Sequence, residues 1–172
     1  MKFHRQIKYY FLKFIRLKGE PHELAMGTAL GIFTGMMPVM PFQIALAVML
    51  ALFFRASKIT AAIGTWISNP LNWYFLYFWN YKLGAFLLGL PAQSKMFSSV
   101  MASIRSGDEP MVIVGKILSA GGASLAAFLL GGLVMGLAAS IPAYFVFLHF
   151  FKFMKIWRKS RKERRKFPPS IE

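Results

Sequence analysis

A run of 31 residues from Leu24 to Phe54, LAMGTALGIFTGMMPVMPFQIALAVMLALFF, carries no charge and is interrupted in its middle by Pro38 and Pro41. As one helix it would reach roughly 46 Å at 1.5 Å per residue. The hydrocarbon core of a bilayer is about 30 Å thick, and two complete helical crossings need about 40 residues. The run is too long for one crossing and too short for two. With Gly31, Gly35, Pro38 and Pro41 inside it, the expectation is a re-entrant hairpin over residues 24–54.

Composition places this hairpin in a membrane. Of 172 residues, 56% are hydrophobic, and the mean hydropathy is +0.50. A soluble domain of this size needs more polar surface. Lys and Arg number 21 against 6 Asp and Glu, a formal charge of +15. Such a balance first suggests nucleic acid, but its distribution argues against that partner. Six basic residues fall within positions 1–18, nine between Lys152 and Lys166, and six in the apolar middle. Basic ends around hydrophobic spans read as cytoplasmic, lipid-facing segments. The chain has no cysteine, which excludes disulfides and thiolate metal sites. Nor do residues 1–18 read as a signal peptide, because charge interleaves their apolar positions.

In chain order, Phe3, Ile7, Tyr10, Phe11, Phe14 and Leu17 are spaced as one helical stripe, so residues 1–18 are expected to form a basic amphipathic helix in the interface. Gly19, Glu20 and Pro21 end it. The loop Arg55-Ala-Ser-Lys58 carries two positive charges, which puts both ends of the hairpin on the cytoplasmic side. Residues 59–90 form a second apolar stretch broken at Ser68-Asn69-Pro70. Its start echoes the first: Ala29 to Pro38 and Ala62 to Pro70 both read Ala, aliphatic, Gly, any, aromatic, any, small, then Pro. This internal echo would place two broken helices in corresponding positions, as transporters do around midplane sites. Residues 91–110 read as an amphipathic surface segment. Residues 111–151 are Gly-rich and fit either two spans turning near Gly131-Gly132 or one long tilted span, with close helix contacts at the glycines. Residues 152–172 are expected to be a basic cytoplasmic tail.

Chemistry is sparse. His4, His22 and His149 have no metal-binding spacing, and no carboxylate pair lies in an apolar stretch. No catalytic residue, metal site or cofactor is expected, and the chain reads as a non-enzyme. The candidate midplane site comprises Thr34, Gly35, Pro38 and Gln43 at the first break, and Thr65, Ser68, Asn69 and Pro70 at the second. A helix broken in hydrocarbon leaves backbone groups unpaired at several kcal/mol each. Side chains such as Gln43 and Asn69 would either pair those groups or, with the exposed backbone dipoles, hold a small anion, a phosphate head group or an ion. Lys82, in an otherwise apolar and aromatic run, either snorkels or contacts the anion.

These residues resemble a bacterial membrane domain known as domain of unknown function 2062. The likeness covers Gly19 to Gly89. Its Pro, A-x-G-x-A-x-G, G-x-F-x-G-x-x-P and Gln elements correspond to Pro21, Gly27, Gly31, Phe33, Gly35, Pro38 and Gln43. The T-W-I-S-N-P signature matches Thr65 to Pro70. Two departures stand out: Pro41 replaces a glycine, removing a backbone donor at the break, and an Asn-Lys pair reads Ser57-Lys58. Related domains occur fused to glycosyltransferase-like modules, which implies a role beside lipid or glycan assembly. The broken helices also look like those of re-entrant transporters such as DedA-type polyprenyl-phosphate flippases, an architectural analogy.

The sequence therefore predicts an all-α integral membrane protein with re-entrant or broken helices and a small transmembrane bundle, within a domain spanning 19–151. It is expected in the bacterial inner membrane, multi-pass, with both termini cytoplasmic. Its expected partners are anionic lipids, through Lys2–Lys18 and Lys152–Lys166, a second copy of itself, and envelope-biogenesis enzymes. The expected function is translocation of an anionic lipid-linked or small anionic substrate. The alternative is a non-catalytic anchor for envelope enzymes.

Overall fold

The computed structural model describes residues 19–39, 42–69, 72–90, 95–119 and 122–166. The expected interfacial helix of residues 1–18, Pro41, Pro70 and the end beyond Lys166 lie outside the described residues. Every regular element among those described is helical. They are α1 (Pro21–Met36), α2 (Gln43–Phe53), α3 (Lys58–Gly64) with a 3-10 turn at Thr65–Ile67, α4 (Trp73–Leu87), α5 (Lys95–Ser106), α6 (Pro110–Ser119) and α7 (Gly122–Lys166).

The ends of these helices follow local rules. Pro21 opens α1 at a position where its missing N–H costs nothing, with Glu23 in the first turn. The helix runs straight through Gly31 and Gly35 and stops at Met37, whose ψ of 146° is extended. Met37 precedes Pro38, and a residue before proline is driven out of the α region. Ser57 caps α3 by accepting from the Thr60 N–H. Three helices end with the same paired backbone bonds. At α2 these are Ala56 N–H to Ala51 C=O (2.7 Å) and Arg55 N–H to Leu52 C=O (3.2 Å), and equivalent bonds close α4 at Gly89 and α5 at Gly107. This C-cap requires a left-handed residue. Gly89 and Gly107 supply it at φ 65° and 76°, but at α2 the residue is Arg55 at φ 52°. Left-handed backbone costs a non-glycine residue about 1–2 kcal/mol. Glycine also loses up to about 1 kcal/mol more entropy on folding. Arg55→Gly should therefore leave stability level or raise it by up to about 1 kcal/mol, read from denaturant midpoints; a clear loss would mean that the arginine side chain is itself needed.

The spine is α7, an unbroken helix of 45 residues, about 67 Å long. It passes through Gly131 and Gly132, so of the two expectations for residues 111–151 the turn at these glycines is absent and one long helix runs from Gly122. Both glycines serve packing instead. A Cβ on Gly131 would strike the Asn80 backbone oxygen, and one on Gly132 would lie 2.8 Å from Pro38 Cδ. The helix also continues past Phe151 to Lys166, so the basic segment 152–166 extends the spine with no boundary between them. Gly122–Ser160 is the one helix among the described residues long and apolar enough to cross a membrane.

Two helices lie antiparallel along α7. Leu24 and Ala25 of α1 pack with Phe151, ringed by Tyr144, Phe147 and Leu148. Farther along α1, Phe33 meets Gly136. On the other half, Tyr77, Tyr81 and Ala85 of α4 pack with Ala127 and Phe128, and with Val100, Met101 and Ile113 from α5 and α6. The α5–α6 corner is tied by Asp108, which accepts from Ser106 (2.9 Å) and from Lys116 (3.3 Å). Hydrogen bonds from Ser103, then Ser106 and Lys116, hold its carboxyl below the usual carboxylate range.

Candidate functional site

The internal echo of the sequence is a contact in the structure. Helices α1 and α3 run parallel, with Gly27 against Ser57 and Thr60, Gly31 against Ala61 and Gly64, and Gly35 against Thr65 and Ile67. Gly31 and Gly64, equivalent in the two echoing segments, face each other. A Cβ built on Gly64 would lie 3.0 Å from Gly31 Cα. Small residues three and four apart allow two helix backbones to touch in this way. The pairing sets the starts of both breaks, Met37–Val39 and Ser68-Asn69, at the same end of the pair.

The hairpin closes at the other end. After α2 the chain comes back to the start of α1, where the Ser57 N–H donates to the Glu23 carbonyl at 3.1 Å. Lys155 of α7 reaches both Glu20 carboxylate oxygens there, at 2.8 and 3.0 Å. Arg55, Lys58, Lys152 and Lys155 thus belong to segments that meet at one end of the molecule.

Of the candidate residues, Thr34 and Thr65 are fully buried and donate their hydroxyl protons to their own helices. Thr34 donates to Leu30 and Gly31 (both 3.1 Å), and Thr65 to Ala62 (2.7 Å). Such back-bonding spends the proton locally. Gly35 is taken up by the α1–α3 contact, and buried Pro38 packs on Gly132. Ser68 is half-buried and Asn69 exposed. The second break is stitched by Asn72, whose Oδ1 accepts from the Asn69 N–H (2.9 Å) while its Nδ2 donates to the Ile67 carbonyl. At the first break, Asn80 of α4 donates from Nδ2 to the Met36 carbonyl at 2.8 Å. The freed backbone groups are thus paired in large part by Asn72 and Asn80.

Among the described residues, three buried polar atoms nevertheless have no hydrogen-bond partner: Gln43 Oε1, Trp73 Nε1 and Asn80 Oδ1. Gln43 and Trp73 open the helices that follow the two breaks, and fully buried Asn80 reaches across to the end of α1. An unpaired buried polar atom costs about 1–3 kcal/mol, and a group that water or a ligand can reach escapes that cost. Asn80 and Trp73 are absent from the sequence-derived site. Asn80 is the lone amide within Trp73–Leu87, the signal by which it could have been found.

Beside the first break lies an apolar cavity of ≈ 540 Å³, bounded by Pro38 and Phe42 at the break, Leu46 and Met49 on α2, Leu118 on α6 and Leu129 on α7. Lys82 is not at the breaks. It lies ten residues beyond Asn72, about 15 Å of helix rise. Its side chain is exposed, with Nζ 5.4 Å from the Phe78 ring centroid and 5.6 Å from that of Trp79. This geometry satisfies its charge by cation–π contact. No group of three or more metal-ligating side chains occurs among the described residues.

The chain matches the family described as "Uncharacterized protein conserved in bacteria (DUF2062)" over residues 4–165, and it belongs to that family. No curated protein and no solved structure matches it. The likeness read from Gly19 to Gly89 therefore extends through α7.

Proposed function

We propose that this member of DUF2062 is a multi-pass protein of the bacterial inner membrane. In this reading it translocates an anionic lipid-linked or small anionic substrate of envelope biogenesis through its paired helix breaks, without enzymatic chemistry. The observation that carries the proposal is the side-by-side placement of the two breaks, with three unpartnered polar atoms around them and an apolar cavity alongside. Polar side-chain atoms left unpaired inside an apolar bundle are costly unless a cavity solvates them. An amphiphile fits the combination, with its polar group at Gln43, Asn69 and Asn80 and its chain in the cavity.

Depth supports the proposal. The first break meets α7 at Gly132, ten residues from Gly122 and twenty from Lys152, or about 15 and 30 Å along the helix. That is inside the apolar part of the spine. Helix α1 descends, α2 returns, α3 and α4 together form one broken crossing, and α7 makes a second. The cationic end then faces the cytoplasm by the positive-inside rule, which gives two full crossings and cytoplasmic termini. Among the described residues no cation flanks the breaks, and Lys82 lies against Phe78 and Trp79. The substrate's anion would instead be gathered at the cytoplasmic end.

The test is a reconstitution. Proteoliposomes carrying a fluorescent polyprenyl-phosphate should expose inner-leaflet probe to an external quencher at least about tenfold faster than protein-free vesicles. Gln43→Cys and Asn69→Cys should react with a small aqueous thiol reagent. Probe exposure no faster than in protein-free vesicles, together with unreactive cysteines, would remove the transport reading.

One observation favours the second reading, a membrane anchor for envelope enzymes. Residues 152–166 project as a continuous basic helix, about 22 Å beyond the apolar spine, a rigid arm suited to a partner, to anionic lipid or to a second copy. Deleting 152–172 and finding partner recovery unchanged would end that version.

A further inference from the structure

At the cytoplasmic end of the α1–α7 pair lies a second cavity of ≈ 540 Å³, distinct from the breaks and chemically unlike the apolar one. We propose that it binds the phosphodiester head group of an anionic membrane phospholipid. This inference rests on the membrane placement proposed above, but not on translocation.

The cavity has two kinds of wall. Leu148 and Ile156 of α7 line it with hydrocarbon, while Glu20, His22, Tyr144, Lys152 and Lys155 supply its polar side. It straddles the point on α7 where the apolar sequence gives way to the basic one at Lys152. A glycerophospholipid presents the same succession, acyl chain then phosphate, at the same level.

The polar side is arranged to donate. Lys155 is held by both oxygens of Glu20, which fixes the α1 start against α7. Lys152 has no ion pair or hydrogen bond among the described residues. His22 Nδ1 and the Tyr144 hydroxyl lie 2.7 Å apart. If Tyr144 donates to Nδ1, the neutral ring keeps its Nε2–H free. If Nδ1–H donates to Tyr144, the phenol keeps its own proton. Either tautomer leaves one donor for an incoming oxygen.

Charge selects the ligand. Two lysines and one glutamate give the cavity a net charge of +1 with His22 neutral, the complement of a phosphodiester monoanion such as phosphatidylglycerol. Lysine serves phosphate as a point charge, and juxtamembrane basic residues read as anionic-lipid sites.

The experiment is native mass spectrometry of the full chain extracted in mild detergent, with phosphatidylglycerol or phosphatidylcholine added, or with inorganic phosphate in place of lipid. One phosphatidylglycerol per chain should be retained in preference to phosphatidylcholine. Lys152→Gln should lower that retention at least about tenfold, the loss of one charge-assisted hydrogen bond. Lys159→Gln removes the same charge one turn beyond the cavity and should change it less than about twofold. Millimolar inorganic phosphate should not displace the lipid. Equal effects of the two lysine substitutions would reduce the binding to general charge and overturn the site. Displacement of the lipid by inorganic phosphate would assign the cavity to a free anion and overturn the lipid. Neither result bears on the translocation assay, so each reading can fail alone.

Discussion

Gly31→Ala should destabilise this protein by about 2 kcal/mol, whereas Gly115→Ala should stabilise it. The two substitutions add the same methyl group to a helix, where alanine is favoured over glycine by about 1 kcal/mol. Only the surroundings differ. On Gly31 the new Cβ lands on the Ala61 carbonyl oxygen, with Gly64 Cα at 2.7 Å and the Ala61 carbonyl carbon at 3.0 Å. All three are backbone atoms, so no side chain can swing aside, and α1 and α3 must separate. Overpacking of this kind costs about 1–3 kcal/mol. Taking the upper value, because the obstruction is rigid, and subtracting the propensity gain leaves the net loss. Around Gly115 nothing lies within 4 Å, so the propensity gain stands alone. Unfolding in detergent by denaturant titration, followed by helical circular dichroism, measures both. Gly64→Ala attacks the same contact from the opposite helix, so the double substitution with Gly31→Ala should cost less than the sum. If Gly31→Ala is as stable as Gly115→Ala, the two helices do not approach this closely, and the pairing of the breaks loses its basis.

Gly31 also marks the boundary between what the sequence makes legible and what it hides. The break at Met37-Pro38 is readable because proline acts on its immediate neighbour, a local effect. The same holds for the interruption around Ser68-Asn69 and for the hairpin's return at Arg55 to Lys58. In sequence Gly31 and Gly35 look like helix weakeners beside Pro38, yet α1 runs through both. A glycine that weakens a helix and a glycine that admits a neighbour look alike in one dimension. The neighbour is 30 residues away in α3, and the faint echo of Ala29–Pro38 in Ala62–Pro70 is its only trace. Gly131 and Gly132 are ambiguous in the same manner: they fit a turn or a close contact, and the structure uses them to admit Asn80 of α4 and Pro38 at the first break. Composition changes at Lys152, but helix propensity does not, which is why α7 continues as one rod. At the two breaks, residue type marks where the helices are interrupted but not which atoms pair the freed backbone. Thr34 and Thr65 satisfy themselves, while Asn72 and Asn80 pair the broken backbone. Which amide reaches which carbonyl is a tertiary matter.

Asn80→Leu is the substitution that separates support of the first break from use of it. Leucine approximates the amide's volume without its polar atoms. The Met36 carbonyl, now paired at 2.8 Å, would be left at the end of α1 without that donor. An orphaned buried acceptor costs about 1–3 kcal/mol. Against this stands the removal of Asn80 Oδ1, which has no partner and whose burial is itself unfavourable unless water or substrate reaches it. If Oδ1 is dry, its loss offsets much of the Met36 penalty, and the net change in unfolding free energy falls below about 1 kcal/mol. If Oδ1 is solvated, nothing offsets the penalty and stability drops by its full extent. Solvation of that atom is what a polar path through the breaks requires. The proposed function thus commits to the larger loss, about 1–3 kcal/mol, together with translocation slowed at least tenfold in folded, reconstituted protein. A small change in stability with translocation intact would make the amide a dry structural clasp, and the breaks would then be joints in the fold rather than a passage through it.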